Sequence, residues 1–210
     1  MKINDYRLNA IIRFGAYYAV PSIILLFIVL MLAFASPLID NLLGSSFGYL
    51  LTVSLPMLIC FAIIPPMWAN KFDGIPPKNL GIAIGKKSYL VCSFVVTTIL
   101  LVFKIFVLPL LFKQECPPLV ELVHFAIVGI SEEILFRGIL LYEAQAFCST
   151  EASIFITAVL FAFVGHATGT ILANLMLRFP LGVLLAIIRL RGKSIYPCAL
   201  LHFAYNIALL

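Results

Sequence analysis

Unbroken apolar runs of about 20 residues constrain this chain more than any other feature, because a hydrocarbon core of about 30 Å demands runs of that length from a helix. Clear examples are Phe14 to Ala35, Phe47 to Trp68 and Tyr89 to Phe112. Hydrophobic residues make up 63% of the 210 and charged residues 11%, with a mean hydropathy of +1.15. A water-soluble domain of this length is usually about a quarter charged and has no interior large enough for so much apolar surface. The runs are continuous rather than alternating, which argues for helices over a barrel. The expected fold is all-α, a multi-pass transmembrane helical bundle of about seven spans.

Four further spans are expected at Leu119 to about Tyr142, Ala152 to about Gly165, Leu172 to Leu190 and Ser194 to Leu210. A polar loop from Ala69 to Ser88 separates the second and third spans, and Lys113 to Pro118 links the third to the fourth. Ala33-Phe34-Ala35 resembles a signal-peptide cleavage site, but the apolar stretch before it is too long for a signal sequence, so it reads as a retained first span. The chain divides into N-terminal transmembrane helices, residues 1–118, and a C-terminal core, 119–210, where the buried polar residues concentrate. The formal net charge of +5 does not point to nucleic acid, because the basic residues lie between apolar runs instead of in one stripe. With a cytoplasmic N-terminus, Lys2, Arg7, Arg13, Lys71, Lys78, Lys86, Lys87, Arg189, Arg191 and Lys193 share one side, against Lys113 on the other. That asymmetry predicts a cell-membrane protein with its N-terminus inside. Cys60, Cys92 and Cys198 fall inside apolar runs and read as small buried hydrophobes, with no metal-ligand spacing among the five cysteines.

Glu132 and Glu133 are the only adjacent acids, and they lie deep in an apolar run. A charge at the centre of a spanning helix costs at least about 2.5–3.5 kcal/mol, so two in sequence require compensation. Glu133 and Arg137 are four apart and share a face, which predicts an ion pair. Glu132 points about 100° away and is left to face elsewhere, presenting a carboxylate to a cavity. His202 and Asn206 are also four apart and form a polar stripe on the last helix. His166 closes the fifth span, whereas His124 has no polar company in the sequence and reads as lining the outer end of the fourth. At 1.5 Å per residue, Glu132 and His202 come to about the same depth, roughly 10 Å from the cytoplasmic face, so one shared site is expected.

Glu132-Glu133-Ile134-Leu135-Phe136-Arg137 resembles the EExxxR motif of the CAAX-processing and bacteriocin-processing membrane proteases, the group that includes type II CAAX prenyl proteases. His202 to Asn206, preceded by Ser194-Ile195-Tyr196-Pro197, resembles that family's terminal HxxxN motif. His166 supplies the histidine of its FxxxH motif, but Ala162 stands where phenylalanine is expected, with Phe161 and Phe163 on either side. The similarity covers about Val120 to Asn206. It implies peptide-bond hydrolysis within the membrane, on a membrane-associated peptide or protein substrate. By the same resemblance Glu132 is the general base, His166 helps to hold water, and His202 and Asn206 stabilise an oxyanion. Glu133 and Arg137 complete the motif. The family is described as metal-dependent, and Glu132, His166 and His202 could supply three ligands to zinc or another divalent ion, although the chain has no HExxH. Two other classes stay open: a non-catalytic relative acting as an immunity or scaffold protein, and a transporter, against which the lack of an internal repeat speaks.

Overall fold

The computed structural model describes residues 3–113, 115–165 and 170–209, and these form seven helices with no strand. We number them α1 (Ile3–Leu43), α2 (Ser45–Phe72), α3 (Lys87–Phe112), α4 (119–144), α5 (Thr150–Val164), α6 (Ile171–Gly192) and α7 (Tyr196–Ala208). By length and composition α1, α2, α3 and α6 can each cross a membrane. α5 is shorter, and α4 is interrupted by the charges that build the site. Ile23, Phe27, Phe34 and Leu38 on α1 and Phe94, Ile99 and Phe106 on α3 stand exposed. An outer surface of that kind is stable only against lipid.

The first helix is longer than its apolar run. It extends unbroken from Ile3 past Ala33-Phe34-Ala35 and Pro37 to Leu43, and a single residue, Gly44 at φ 82°, turns the chain into α2. That left-handed conformation is open to glycine without the penalty of a Cβ. Two cysteines behave as expected, Cys60 and Cys198 being buried, but Cys92 is exposed on the outer face of α3. Hydropathy alone does not separate a core-facing side chain from a lipid-facing one.

Several helices carry wider, π-helical turns. Those at Leu50–Ser54, Leu58–Ile63, Phe103–Val107 and Asn174–Arg178 each run up to a proline: Pro56, Pro65, Pro109 and Pro180. Proline lacks an N–H and crowds the preceding turn, so the turn widens. The segments Ile134–Leu140 and Leu160–Val164 have no proline after them to account for the widening. They carry Arg137 and Phe161, and isolated π turns of this kind recur at functional sites.

α7 packs between α3 and α4, α6 lies against α5, and α1 covers α2 and the second half of α4. The α4–α7 approach depends on Gly129, where a Cβ would stand 3.1 Å from the Ala199 carbonyl oxygen. Small residues at such crossings let backbones come close.

The segment after α2 is not the solvated polar loop its lysines suggest. Ile75 and Leu80 are buried, Ile195 N–H donates to the Gly81 carbonyl at 3.1 Å, and Lys86 N–H donates to Gly192 at 2.8 Å. The Arg189 guanidinium donates to the Asn79 carbonyl at 2.9 Å. Leu80 joins Leu135, Phe136, Ile139 and Phe161 in the central apolar cluster. The loop therefore plugs one end of the bundle. Its neighbour is a polar latch, in which Arg13 of α1 holds Glu143 of α4 at 3.0 Å and Tyr17 bonds Asp73.

Candidate active site

Glu132 and Glu133 end the regular part of α4, immediately before its π-helical stretch, and the two neighbours meet different partners. Glu133 is fully buried. Its Oε1 lies 3.0 Å from an Arg137 guanidinium nitrogen, the ion pair expected from the spacing, and 2.9 Å from His202 Nδ1. Arg137 is itself 1% exposed and stacks over Phe161, its guanidinium carbon 4.3 Å from the ring centre. A cation and an anion that are both out of water are tolerable only when matched in this way.

The second link across α4 and α7 is made by the other nitrogen of the same imidazole. His202 Nε2 faces Glu132 Oε2 at 3.7 Å, too far for a direct hydrogen bond. Glu132 Oε2 is buried and has no hydrogen-bond partner among the described residues. With Nδ1–H donating to the carboxylate of Glu133, a neutral His202 turns the lone pair of Nε2 toward the lone pairs of Glu132. Two acceptors in that relation call for a proton, a water molecule or a cation between them.

Two cavities reach this contact, one touching Glu132 and the other His202. One, of about 390 Å³, reaches Glu132 and Phe136 and is otherwise lined largely by apolar residues of α1 and α2, including Leu25, Val29 and Phe61. The other, of about 270 Å³, is lined by His202, Asn206, Tyr205 and Arg178, with His124 also on its wall. Phe161 lines the second cavity and packs edge-on against His202, ring centres 5.4 Å apart. The first wall can take apolar side chains or lipid, and the second can hydrogen-bond.

Of the residues singled out by sequence, Glu132, Glu133, Arg137 and His202 lie in one contact network, and Asn206 shares a cavity with His202 one helical turn away. His166 lies outside the described residues. Three other side chains escaped the sequence reading. Phe161, next to the position where the motif has its aromatic residue, packs against His202 and Arg137. His124 has company after all: its Nδ1 is 2.9 Å from Ser54 Oγ and its Nε2 3.3 Å from Tyr49 Oη. Those partners come from α2, some seventy residues away in the chain, and no spacing rule connects them. Arg178, within α6, lines the second cavity.

Among the described residues no group of three His, Cys, Asp or Glu side chains is arranged to hold a metal ion. Glu132 Oε2 and His202 Nε2 form a two-donor set, and Glu133 on the remote nitrogen supplies the outer carboxylate that metal-binding histidines usually have. The described donors number two, one short of the three protein ligands of a catalytic zinc site.

Residues 114–208 match the model of a protease family, described as type II CAAX prenyl endopeptidase Rce1-like. No curated protein and no solved structure matches the chain.

Proposed function

We propose that the chain is an intramembrane endopeptidase of the type II CAAX prenyl endopeptidase kind, whose family model residues 114–208 match, and that its general base is Glu132. The observation that carries this reading is the 3.7 Å approach of Glu132 Oε2 to His202 Nε2, each of which lines a cavity. A water between these atoms can pass a proton to Glu132 as it attacks a scissile carbonyl. Glu132 then returns the proton to the leaving amine.

His202 is held by Glu133 through Nδ1, so its ring is already oriented. The amide of Asn206 would donate to the oxyanion, joined by Nε2–H of His202 when the ring has taken up a proton from solvent before the attack. His166, implied by the family pattern, would help to hold the water. Arg137 does not touch the reacting atoms in this scheme. It positions Glu133, which positions His202.

A divalent ion, zinc for example, would be held by Glu132 and His202, with His166 as third ligand. When bound, such an ion polarises a carbonyl and acidifies water. Elemental analysis of the purified protein beside Glu132→Ala and His202→Ala tests this. Metal content unchanged by both substitutions would exclude these residues as ligands.

The activity test is cleavage of a membrane-anchored peptide in membranes containing wild type, Glu132→Gln, His202→Ala or Asn206→Ala. Glu132→Gln should reduce turnover by about 10²–10⁴ while the protein still inserts. Loss of the Asn206 donor should cost up to about 10²–10³ in kcat. Full activity in Glu132→Gln would overturn the assignment of the base.

A further inference from the structure

The end of the bundle closed by the loop after α2 brings together cations that have no anion among them. Lys86 and Lys87 stand at the start of α3, Arg191 at the end of α6, and Lys193 in the turn to α7. The backbone fastens these two parts of the chain to each other. Lys86 N–H donates to the Gly192 carbonyl at 2.8 Å, and a Cβ on Gly85 would collide with that same oxygen and stand 2.8 Å from the Lys193 carbonyl carbon. Lys193 is held at φ 58°, with its N–H on the Arg189 carbonyl at 2.8 Å. All four side chains are exposed, and none has an ion-pair partner among the described residues. Beside them Arg189 is 9% exposed. Its guanidinium donates to the Asn79 carbonyl, and its Nε has no hydrogen-bond partner among the described residues. Residues 74–114 and 152–210, which supply all of these cations, include no Asp or Glu. Asp73, the nearest acid along the chain to Lys86, is bonded by Tyr17.

An excess of Lys and Arg on one side of a membrane accounts for the number of these charges. It does not account for their convergence on a fixed backbone, where like charges repel one another. From this we infer that the two fastened turns form a site for the phosphate headgroup of an anionic phospholipid in the adjoining leaflet, with Lys86, Lys87, Arg191 and Lys193 as its counter-ions. A cluster of basic residues at the end of a spanning helix is suited to such a headgroup. Ile84 favours a lipid over a soluble phosphate. It is 71% exposed and stands two residues before Lys86 on the same fastened loop. Beside a bound headgroup its side chain can enter the acyl layer, a gain that a soluble phosphate does not offer. None of these residues lines either cavity, and the site does not depend on the endopeptidase reading. A bound headgroup would staple the start of α3 to the turn that leads into α7.

The test uses the full chain in detergent, titrated with phosphatidylglycerol or with phosphatidylcholine of the same acyl chains. Apparent affinities are read by native mass spectrometry. Phosphatidylglycerol should bind about tenfold tighter or more, because its headgroup carries a net negative charge and that of phosphatidylcholine does not. Lys86→Gln and Lys193→Asn should each weaken phosphatidylglycerol binding by about fivefold, and together they should bring the two lipids to nearly equal affinity. Asparagine is chosen at 193 because it tolerates the left-handed backbone there. Lys113→Gln, at the opposite end of the bundle, should leave the preference intact. Equal binding of the two lipids by the wild type overturns the inference without any reliance on a variant's folding. A preference that survives the double substitution overturns it too, as does one lost equally in Lys113→Gln. Displacement of phosphatidylglycerol by millimolar inorganic phosphate at matched ionic strength would mark a site for soluble phosphate and overturn the assignment to lipid.

Discussion

Glu132 and Glu133 are chemically identical neighbours with different surroundings, and the division of labour in the site follows from that difference. Glu133 neutralises Arg137 and orients His202, whereas Glu132 keeps an oxygen free beside a cavity. Glu133→Gln keeps the shape but leaves the buried Arg137 cation unmatched, at a cost of about 3–5 kcal/mol. Thermal unfolding in detergent should show that loss. Adding Arg137→Met should recover most of the stability, because a well-packed apolar pair often replaces a buried ion pair without penalty. Activity should not return, since His202 would still lack the carboxylate that orients it. Recovery of both would mean that Glu133 serves packing alone.

At the scale of elements, the site depends on how closely α7 approaches α4. Glu132 and Glu133 come from one helix and His202 from the other, and Gly129 lies one turn before the glutamates, where a Cβ would press on the backbone of Ala199 and Phe203. Gly129→Val should push the helices apart, costing about 1–3 kcal/mol through overpacking. Its effect on cleavage should be larger, because a displacement of about 1 Å in a catalytic constellation can cost about 10²-fold in rate. The measurement is kcat on protein that still migrates as a folded species in size-exclusion chromatography. A folded variant with unaltered kcat would show that the helix spacing is not critical. The proline-free π turns belong to this scale as well. They carry Arg137 and Phe161, the two side chains that pack around Glu133 and His202.

For the molecule as a whole, the membrane orientation makes a separate prediction. α4 runs from the Lys113–Pro118 link toward the end where Arg13 and Glu143 meet. Lysines and arginines crowd that second end, so it should be cytoplasmic. Of the five free cysteines, Cys116 is exposed beside the start of α4 and Cys148 lies just beyond its end. A membrane-impermeant maleimide should label a variant retaining Cys116 alone only from outside, and one retaining Cys148 alone only from the cytoplasmic side of inverted vesicles. Labelling of both from one side would contradict the arrangement.

The amino-acid sequence by itself determined the helical class, the order and approximate places of the helices though not the ends of the first, the Glu133–Arg137 pair and the polar face of α7. All of these follow from runs and from four-residue periodicity, which are local properties of a chain. Tertiary structure alone decided that His202 bridges the two glutamates, that Leu80 and Ile75 turn inward beneath a lysine-rich loop, and that His124 and Arg178 reach the same cavity as His202. Those relations join residues tens of positions apart. They depend on which helix faces pack together, and in a chain whose exterior is as apolar as its interior, hydropathy cannot tell one face from the other.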